Sequence, residues 1–502
     1  MIADSLTDTN LLLIAFLPML RKLRVVLAVL FWISITAMFL DFTGTLSTYL
    51  GWMAKVQLLP AVMALNVVAV VALVMLTLLF GRIYCSVICP MGVFQDVVSH
   101  LSSLRKGKKN RFKYTPARNW LRYTVLVLFV LAIVAGFTAI ASIIAPYSAY
   151  GRMVRSLVYV RELWVLSLPV VIVAAATFVV IVVMSWRGGR DYCNTVCPVG
   201  SLLGLISRYS FLRPVIDTDK CINCGSCGRR CKASCIDTKN HTIDLSRCVA
   251  CMDCIENCST DAISFTRRPH RVKSAGHGAS ADAAAESAGT ADLGRRNFII
   301  AGAVAAGSAV GSRAQKITDG GLAVLEDKKM PERVTRLVPP GAVSLGNMAQ
   351  HCTACQLCVS QCPEGVLRAS TEIDTFMQPY MDFDHGYCRP ECTKCSEVCP
   401  SGAIRPITWE EKSAIQIGRA VWVPANCIVN TDGVECGNCA RHCLVGAIKM
   451  VPSEPDNPES RKIPAVDESR CIGCGACETV CPARPFSAIY VEGHENHRTY
   501  LG

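Results

Sequence analysis

The spacing of its 29 cysteines constrains this chain more than any other feature of its 502 residues. Four stand in two matching tags, Gly81-Arg-Ile-Tyr-Cys85-Ser-Val-Ile-Cys89-Pro90-Met-Gly92 and Gly189-Arg-Asp-Tyr-Cys193-Asn-Thr-Val-Cys197-Pro198-Val-Gly200. The other 25 form six groups and one spare. Runs of Cys-x2-Cys-x2-Cys-x3-Cys are too crowded for a disulfide scaffold. They match cubane iron–sulfur ligation, in which the fourth cysteine of one run serves the neighbouring cluster. Zinc sites pair two Cys-x2-Cys knuckles instead. A chain patterned this way reads as a wire for electrons.

Apolar residues make up 51% of the chain, more than in an ordinary soluble domain. Four long apolar stretches, at 25–40, 59–80, 123–145 and 163–186, precede residue 190. None carries a charge in its middle, and three approach or exceed the ~20 residues that cross a bilayer as helix. The net charge of +12 forms no stripe beside aromatic residues, which argues against nucleic acid as a partner. The basic residues flank the apolar stretches instead. Arg21, Lys22 and Arg24 precede the first; Arg82, Arg105, Lys106, Lys108, Lys109, Arg111, Lys113 and Arg118 lie between the second and third; Arg187, Arg190, Arg208 and Arg213 follow the fourth. Basic connections stay in the cytoplasm, so both tags are expected on that side. Two helix pairs ending in the same tag predict a repeat about a pseudo-twofold axis. Cys85, Cys89, Cys193 and Cys197 would then converge, to hold a seventh cluster, to stay plain buried thiols, or to act as a redox dithiol pair. None of the nine histidines falls inside a stretch, so haem held by two histidines in the bilayer core is not expected.

Exchange of fourth ligands assigns the first module's sites to Cys221, Cys224, Cys227 and Cys258, and to Cys248, Cys251, Cys254 and Cys231. Cys235 is the spare and competes with Cys231 as ligand. Lys232 and Ser259 replace the usual proline after the fourth cysteine. Strands are expected at 242–244 and 262–265. Beyond residue 350 four more groups predict four further cubanes. One uses Cys352, Cys355, Cys358 and Cys399; its mate uses Cys388, Cys392, Cys395 and Cys362. The second pair uses Cys427, Cys436, Cys439 and Cys481, then Cys471, Cys474, Cys477 and Cys443. Nesting of the outer groups around the inner two is the other pairing that the spacing allows. Cys388 and Cys427 stand further from their groups than usual, which reads as enlarged loops. Gly402-Ala-Ile, Gly446-Ala-Ile and Ser487-Ala-Ile should each begin the same small strand.

The expected fold is an α-helical membrane domain, four helices as a two-fold repeat plus a fifth, with small α+β ferredoxin-like iron–sulfur domains. Residues 1–214 form the four-helix part and 215–266 a two-cluster cytoplasmic domain. Residues 267–297 are a linker of Ala, Ser, Gly and Asp ending in Arg295-Arg296, an export-type twin arginine. Residues 298–314 are a fifth transmembrane helix or signal anchor, and 315–502 a four-cluster domain on the periplasmic side.

Positions 1–265 resemble the NapH family, by four helices, two Cys-x3-Cys-Pro tags and a two-cluster module. Positions 293–491 resemble the NapG/MauM family of exported four-cluster ferredoxins, by Arg295-Arg296, Pro339-Pro340-Gly341-Ala342 and four cysteine groups. A fusion in this order departs from separate subunits, as do the missing prolines and Cys235. The resemblance implies a membrane-bound iron–sulfur electron-transfer subunit of the bacterial inner membrane. It would carry six [4Fe-4S] clusters and link the quinone pool to a periplasmic redox partner in the quinol-oxidising direction. Quinone would be its substrate; lipid and a haem, molybdenum or copper protein would be its neighbours. Cys85, Cys89, Cys193 and Cys197 would lie near quinol-side electron entry. The reverse flow, from an external dehydrogenase to quinone, and a maturation role for a metalloenzyme are the competing readings. No residue stands out as a quinol base; Asp96, Glu162 and Asp191 near helix ends are the nearest carboxylates.

Overall fold

The computed structural model describes residues 2–41, 45–105, 112–158, 168–267, 318–319, 323–324, 328–329 and 331–499. Glu162, the twin arginine, most of the linker and the expected fifth helix at 298–314 lie outside these residues. Residues 1–268 and 329–502 form one compact unit. Residues 269–328 are a second, whose described part includes an antiparallel pair, Thr318–Asp319 with Ala323–Val324.

The helical part of the first unit begins with α1 (Ile2–Leu40), α2 (Thr45–Lys55), α3 (Leu58–Met63), α4 (Val67–Phe80), α5 (Tyr84–Val87) and α6 (Pro90–Arg105). It continues through α7 (Asn119–Val134), α8 (Thr138–Ile144), α9 (Pro146–Val158), α10 (Leu168–Gly188), α11 (Asp191–Thr195) and α12 (Pro198–Ser207). Two stretches, Arg21–Leu40 in α1 and Pro169–Gly188 in α10, are long and apolar enough to cross a membrane. The apolar stretches at 59–80 and 123–145 are not continuous helices as expected. Leu65 takes a left-handed φ of 52° and Asn66 caps α4, its Oδ1 accepting from Ala69 N at 3.1 Å. An asparagine that satisfies a free helix N–H starts a new helix there. Gly136, at φ 85°, ends α7 in the same way. The resulting α4 and α7 have 14 and 16 residues, or about 21 and 24 Å.

Large apolar side chains stand exposed along all four long helices, including Val26 and Leu30 on α1, Val68 and Val71 on α4, Leu128 and Leu131 on α7, and Ile172 and Val179 on α10.

The four helices run between the two cysteine-rich modules. At one end, Arg21 pairs with Asp253 at 2.9 Å and with Glu256. Phe211 N donates to Leu78 O, Arg122 to Ser246 O, and Arg190 N to Lys232 O. At the other end, Gln361 Nε2 donates to Met38 O and Asp41 O at 3.0 and 2.8 Å. Thr138 donates to Ala349 O, and Val170 packs with Ala354 and Met377. Arg21 and Met38 are 17 residues apart on α1, about 26 Å of helix. The first module therefore docks at one end of the helices and the second at the other.

The first module pairs Leu212–Ile216 with Ile263–Arg267, and Ile236–Asp237 with Thr242–Ile243, all antiparallel. The second pairs Leu367–Ala369 with Pro379–Met381, Ile448–Pro452 with Lys462–Val466, and Ile415–Trp422 with Ile489–Thr499. Strands follow Ala447 and Ala488 as expected, but Gly402-Ala-Ile begins none. There Arg405 N donates to Gly341 O and Ile404 N to Cys399 Sγ, so a loop takes the backbone bonds that a strand would use.

One ion cluster fastens the first module to the helices. Arg190 holds both oxygens of Asp96 at 2.7 Å, and Lys232 reaches the same carboxylate at 3.2 Å and Asp253 at 3.0 Å. Burial by itself would raise the Asp96 carboxyl, but Arg190 and Lys232 outweigh it and hold it well below the usual carboxylate range. So held, Asp96 is a poor proton acceptor for a quinol. Asp96→Asn leaves buried cations without their carboxylate, which costs about 3–5 kcal/mol. The thermal unfolding midpoint of the detergent-solubilised variant is expected to fall; an unchanged midpoint would show that the cluster does not secure the module.

Candidate iron–sulfur centres

Cysteine groups that are distant in sequence meet around shared cavities. One is lined by Cys221, Cys224, Cys227 and Cys258. A second is lined by Cys352, Cys355, Cys358 and Cys399, and a third by Cys427, Cys436, Cys439 and Cys481. Cys388, Cys392, Cys395 and Cys362 sit close enough to perturb one another, as do Cys471, Cys474 and Cys443, with Cys477 beside Cys471 and Cys474. Each set of four joins three cysteines of one run to the closing cysteine of its neighbour, the arrangement that a cubane requires.

The remaining cavity holds five thiols, Cys231, Cys235, Cys248, Cys251 and Cys254. Backbone N–H groups sort them. The closing cysteines accept from the chain just beyond: Cys258 from Ala262 N and Cys443 from Ala447 N, both at 3.2 Å. Cys231 accepts likewise from Cys235 and Ile236. Cys235 thus stands at the position filled by Ala262 and Ala447, and its sulfur lies 3.5 Å from Cys231 Sγ. The thiol contact holds Cys231 below its ordinary pKa and pushes Cys235 up. Cys231 matches the closing cysteines of the other runs, while Cys235 contacts both Cys231 and Cys248 of this site.

Burial pushes Cys251 and Cys474 up to about 12, and Cys355 and Cys439 up to about 11. Such thiols stay protonated at neutral pH and lose their protons when iron binds.

The two tags also meet. Each glycine that opens a tag has positive φ, 75° at Gly81 and 70° at Gly189, which turns the chain sharply at the end of α4 and of α10. Arg82 then donates to Cys193 O at 3.0 Å, and Arg190 to Cys85 O, so each tag is held by the other's arginine. Gly92 and Gly200 let this happen: a Cβ there would lie 2.1 Å from Cys85 O and 2.2 Å from Cys193 O. Cys85, Cys89, Cys193 and Cys197 are 3, 3, 2 and 3% exposed. Cys197 Sγ accepts from Gly200 N at 3.3 Å, and Gln95 Nε2 donates to Cys193 Sγ at 3.1 Å. Tyr84 hydroxyl donates to Gln57 Oε1 at 2.9 Å and accepts from Leu58 N; Tyr192 donates to Ile144 O.

Several residues that the motifs did not flag surround these sites. Arg82, Arg122, Arg152 and Arg190 are all fully buried. Arg152 donates to Ser142 O, Ile143 O and Ala354 O. Lys412, also buried, donates to Arg389 O and Cys392 O and so closes the enlarged loop after Cys388. In the sequence Arg82 and Arg190 stand inside the tags and Lys412 between two cysteine groups, but Arg122 and Arg152 lie far from any cysteine. Asp191 is half-buried, and burial raises its carboxyl.

Comparison with known proteins agrees with this chemistry. A family described as a 4Fe-4S binding domain matches residues 62–109 and 170–216, and one described as a 4Fe-4S dicluster domain matches 351–403 and 434–484. The methylamine utilization ferredoxin-type protein MauM of Methylobacillus flagellatus is 32% identical over 166 residues, covering 32% of this chain and 70% of that protein. The putative electron transport protein YccM of Escherichia coli is 26% identical over 178 residues, covering 34% of this chain and 47% of that protein. The ferredoxin-type protein NapF of Escherichia coli is 24% identical over 159 residues, covering 31% and 86%. No solved structure matches the chain. With its four-cysteine cavities and this degree of likeness, the chain belongs to the MauM family of ferredoxin-type proteins and is an iron–sulfur electron-transfer protein.

Proposed function

We propose that this protein is a membrane-bound iron–sulfur relay carrying electrons between the quinone pool and a redox partner on the far side of the membrane. The observation that carries the reading is the order of the thiol-lined sites. In the second module Cys358 lies beside Cys395, Cys388 N donates to Cys474 O at 2.9 Å, and Cys477 lies beside Cys439. Its four sites therefore follow one another in a line. In the first module Cys231 and Cys248 belong to the site nearer the helices, for Arg82 lies beside Cys248.

Bound iron–sulfur clusters supply one-electron redox centres. The chain's own residues supply the thiolates, exclude water and aim backbone N–H groups at the sulfurs. The exposed apolar faces of α1, α4, α7 and α10 suit burial in lipid beside a lipid-soluble quinone. The short α8 and α9 suit it too, since they are largely buried in protein, the condition under which lipid tolerates irregular chain. The basic connections support a cytoplasmic first module and a periplasmic second. This assigns the front of the chain a NapH-like role, fused to its MauM-like partner. Quinol oxidation is the proposed direction.

Anaerobic addition of a reduced quinone analogue to the purified chain should bleach the iron–sulfur absorbance near-stoichiometrically; no bleaching, in a sample that dithionite does reduce, would remove quinol as the donor.

Ligand assignment gives its own outcomes. Six cubanes hold ~24 iron atoms. Cys352→Ser and Cys399→Ser should each abolish the same electron paramagnetic resonance signal, whereas nested pairing predicts different signals for the two. Cys231→Ala should lose one cluster while Cys235→Ala keeps its full iron content; the reverse pattern would make Cys235 the ligand.

A further inference from the structure

The two ferredoxin modules dock at opposite ends of α1, some 26 Å apart by helix rise. The tag cysteines nevertheless share one continuous buried core with Cys231 and Cys235 of the first module and with Cys352, Cys355 and Cys358 of the second. Toward the first module, Arg82 bridges Cys193 O and Ser246 O, and Asn194 Nδ2 donates to Ala233 O at 3.1 Å, between Cys231 and Cys235. Toward the second, Tyr192 reaches the end of α8, and Arg152 on α9 spans from there to Ala354 O, next to Cys355. Gly151 lets α9 lie against this module: a Cβ there would be 2.7 Å from Cys355 O.

Charge points the same way. Arg82 and Arg152 are 0 and 1% exposed, and among the described residues neither has a carboxylate partner; they donate to carbonyls, to Asn194 and, from Arg82, to Cys85 Sγ at 3.8 Å. A buried cation without a counter-charge is strongly unfavourable. Four thiolates around an iron–sulfur core leave a net negative charge, and at the tags they would stand beside Arg82. Gln95 adds a built donor: its Nε2 bonds Cys193 Sγ while its Oε1 is buried without a partner.

We propose that Cys85, Cys89, Cys193 and Cys197 bind an iron–sulfur relay joining the two modules, so that this chain conducts electrons from one face of the membrane to the other. The proposal rests on the membrane-bound relay reading above and does not depend on quinone. No bond in the protein changes. An electron leaving an external reductant passes singly through the chain and reduces an acceptor on the other side.

The test uses the full chain in phosphatidylcholine vesicles, with ferricyanide trapped inside and dithionite outside. Each electron taken from dithionite, which is oxidised to sulfite, converts one ferricyanide to ferrocyanide. The native chain should hold ~28 iron atoms and conduct. A Cys89→Ser/Cys197→Ser double variant should hold ~24 and conduct at least tenfold more slowly, while its outward-facing clusters still reduce. A native count of ~24, or equal conduction by the variant, overturns the proposal. Should the variant lose more iron than one cluster, Gln95→Leu decides. It should keep ~28 iron atoms and lower the midpoint potential of one centre, because a hydrogen bond to a ligating sulfur is gone; no shift in any centre overturns the proposal. Failure of quinol to reduce the protein, with conduction intact, would remove only the quinone assignment.

Discussion

Two arginines, each reaching across to the other repeat, set the geometry on which the rest of this chain depends. Arg82 holds the Cys193 carbonyl and Arg190 the Cys85 carbonyl, and the same two residues meet the first module at Ser246 and Lys232. Charged hydrogen bonds of this kind contribute roughly 1.5–3 kcal/mol each. One pair of side chains therefore fixes the approach of the tags and the docking of a ferredoxin domain. The symmetry is broken where charge is balanced. Asp96 stands eleven residues after Cys85, and the place eleven after Cys193 is Gly204. Arg122 fills the space there: a Cβ on Gly204 would lie 1.7 Å from its Nη2. One repeat thus carries an acid and the other has a cation in the matching position. Arg190 is neutralised by Asp96, and Arg82 faces the thiols instead.

The broken helices follow from the same arrangement. Had 59–80 and 123–145 run straight, nothing would have filled the space between the tags and the second module. Stopping at Asn66 and Gly136 shortens α4 and α7 and leaves α3, α8 and α9 as short helices that fold inward. Leu58 N and Ile144 O then lie within reach of Tyr84 and Tyr192, the tyrosines that precede the first cysteine of each tag. The inward helices bring chain from the far end of the bundle to the tags.

Much of this was legible in the cysteine spacing, because three ligands in one run and a fourth in the next is a local geometric demand that any ferredoxin-type chain must meet. The convergence of the tags followed from their repetition, and the strands at Thr242–Ile243 and Ile263–Arg267 from short β-branched runs between turns. What escaped were the residues whose role exists only in three dimensions. Arg82, Arg152, Lys412 and Gln95 look like ordinary surface-type side chains in sequence, and only packing reveals that they are buried against thiols. The breaks in the two stretches at 59–80 and 123–145 were readable. Asn66 inside an apolar run is a helix start, and Gly136 a stop, yet hydropathy summed over twenty residues averages both away.

Buried cations recur along the line of sites. Arg82 lies beside Cys85 and Cys248, Arg152 beside Cys355, and Lys412 beside Cys388 and Cys395. Each is held by backbone carbonyls, which orient it without neutralising it. Adding an electron to a thiolate-held centre adds negative charge, which a fixed cation in a low-dielectric interior favours far more than water would. Clusters held at the central sites, bordered by these cations, would therefore be stabilised in their reduced form relative to clusters at the outer Cys221–Cys258 and Cys427–Cys481 sites. A line that is easier to reduce in its middle than at its ends draws electrons inward from whichever end the donor binds. The chemistry of the partners at the two ends then sets the direction of net flow.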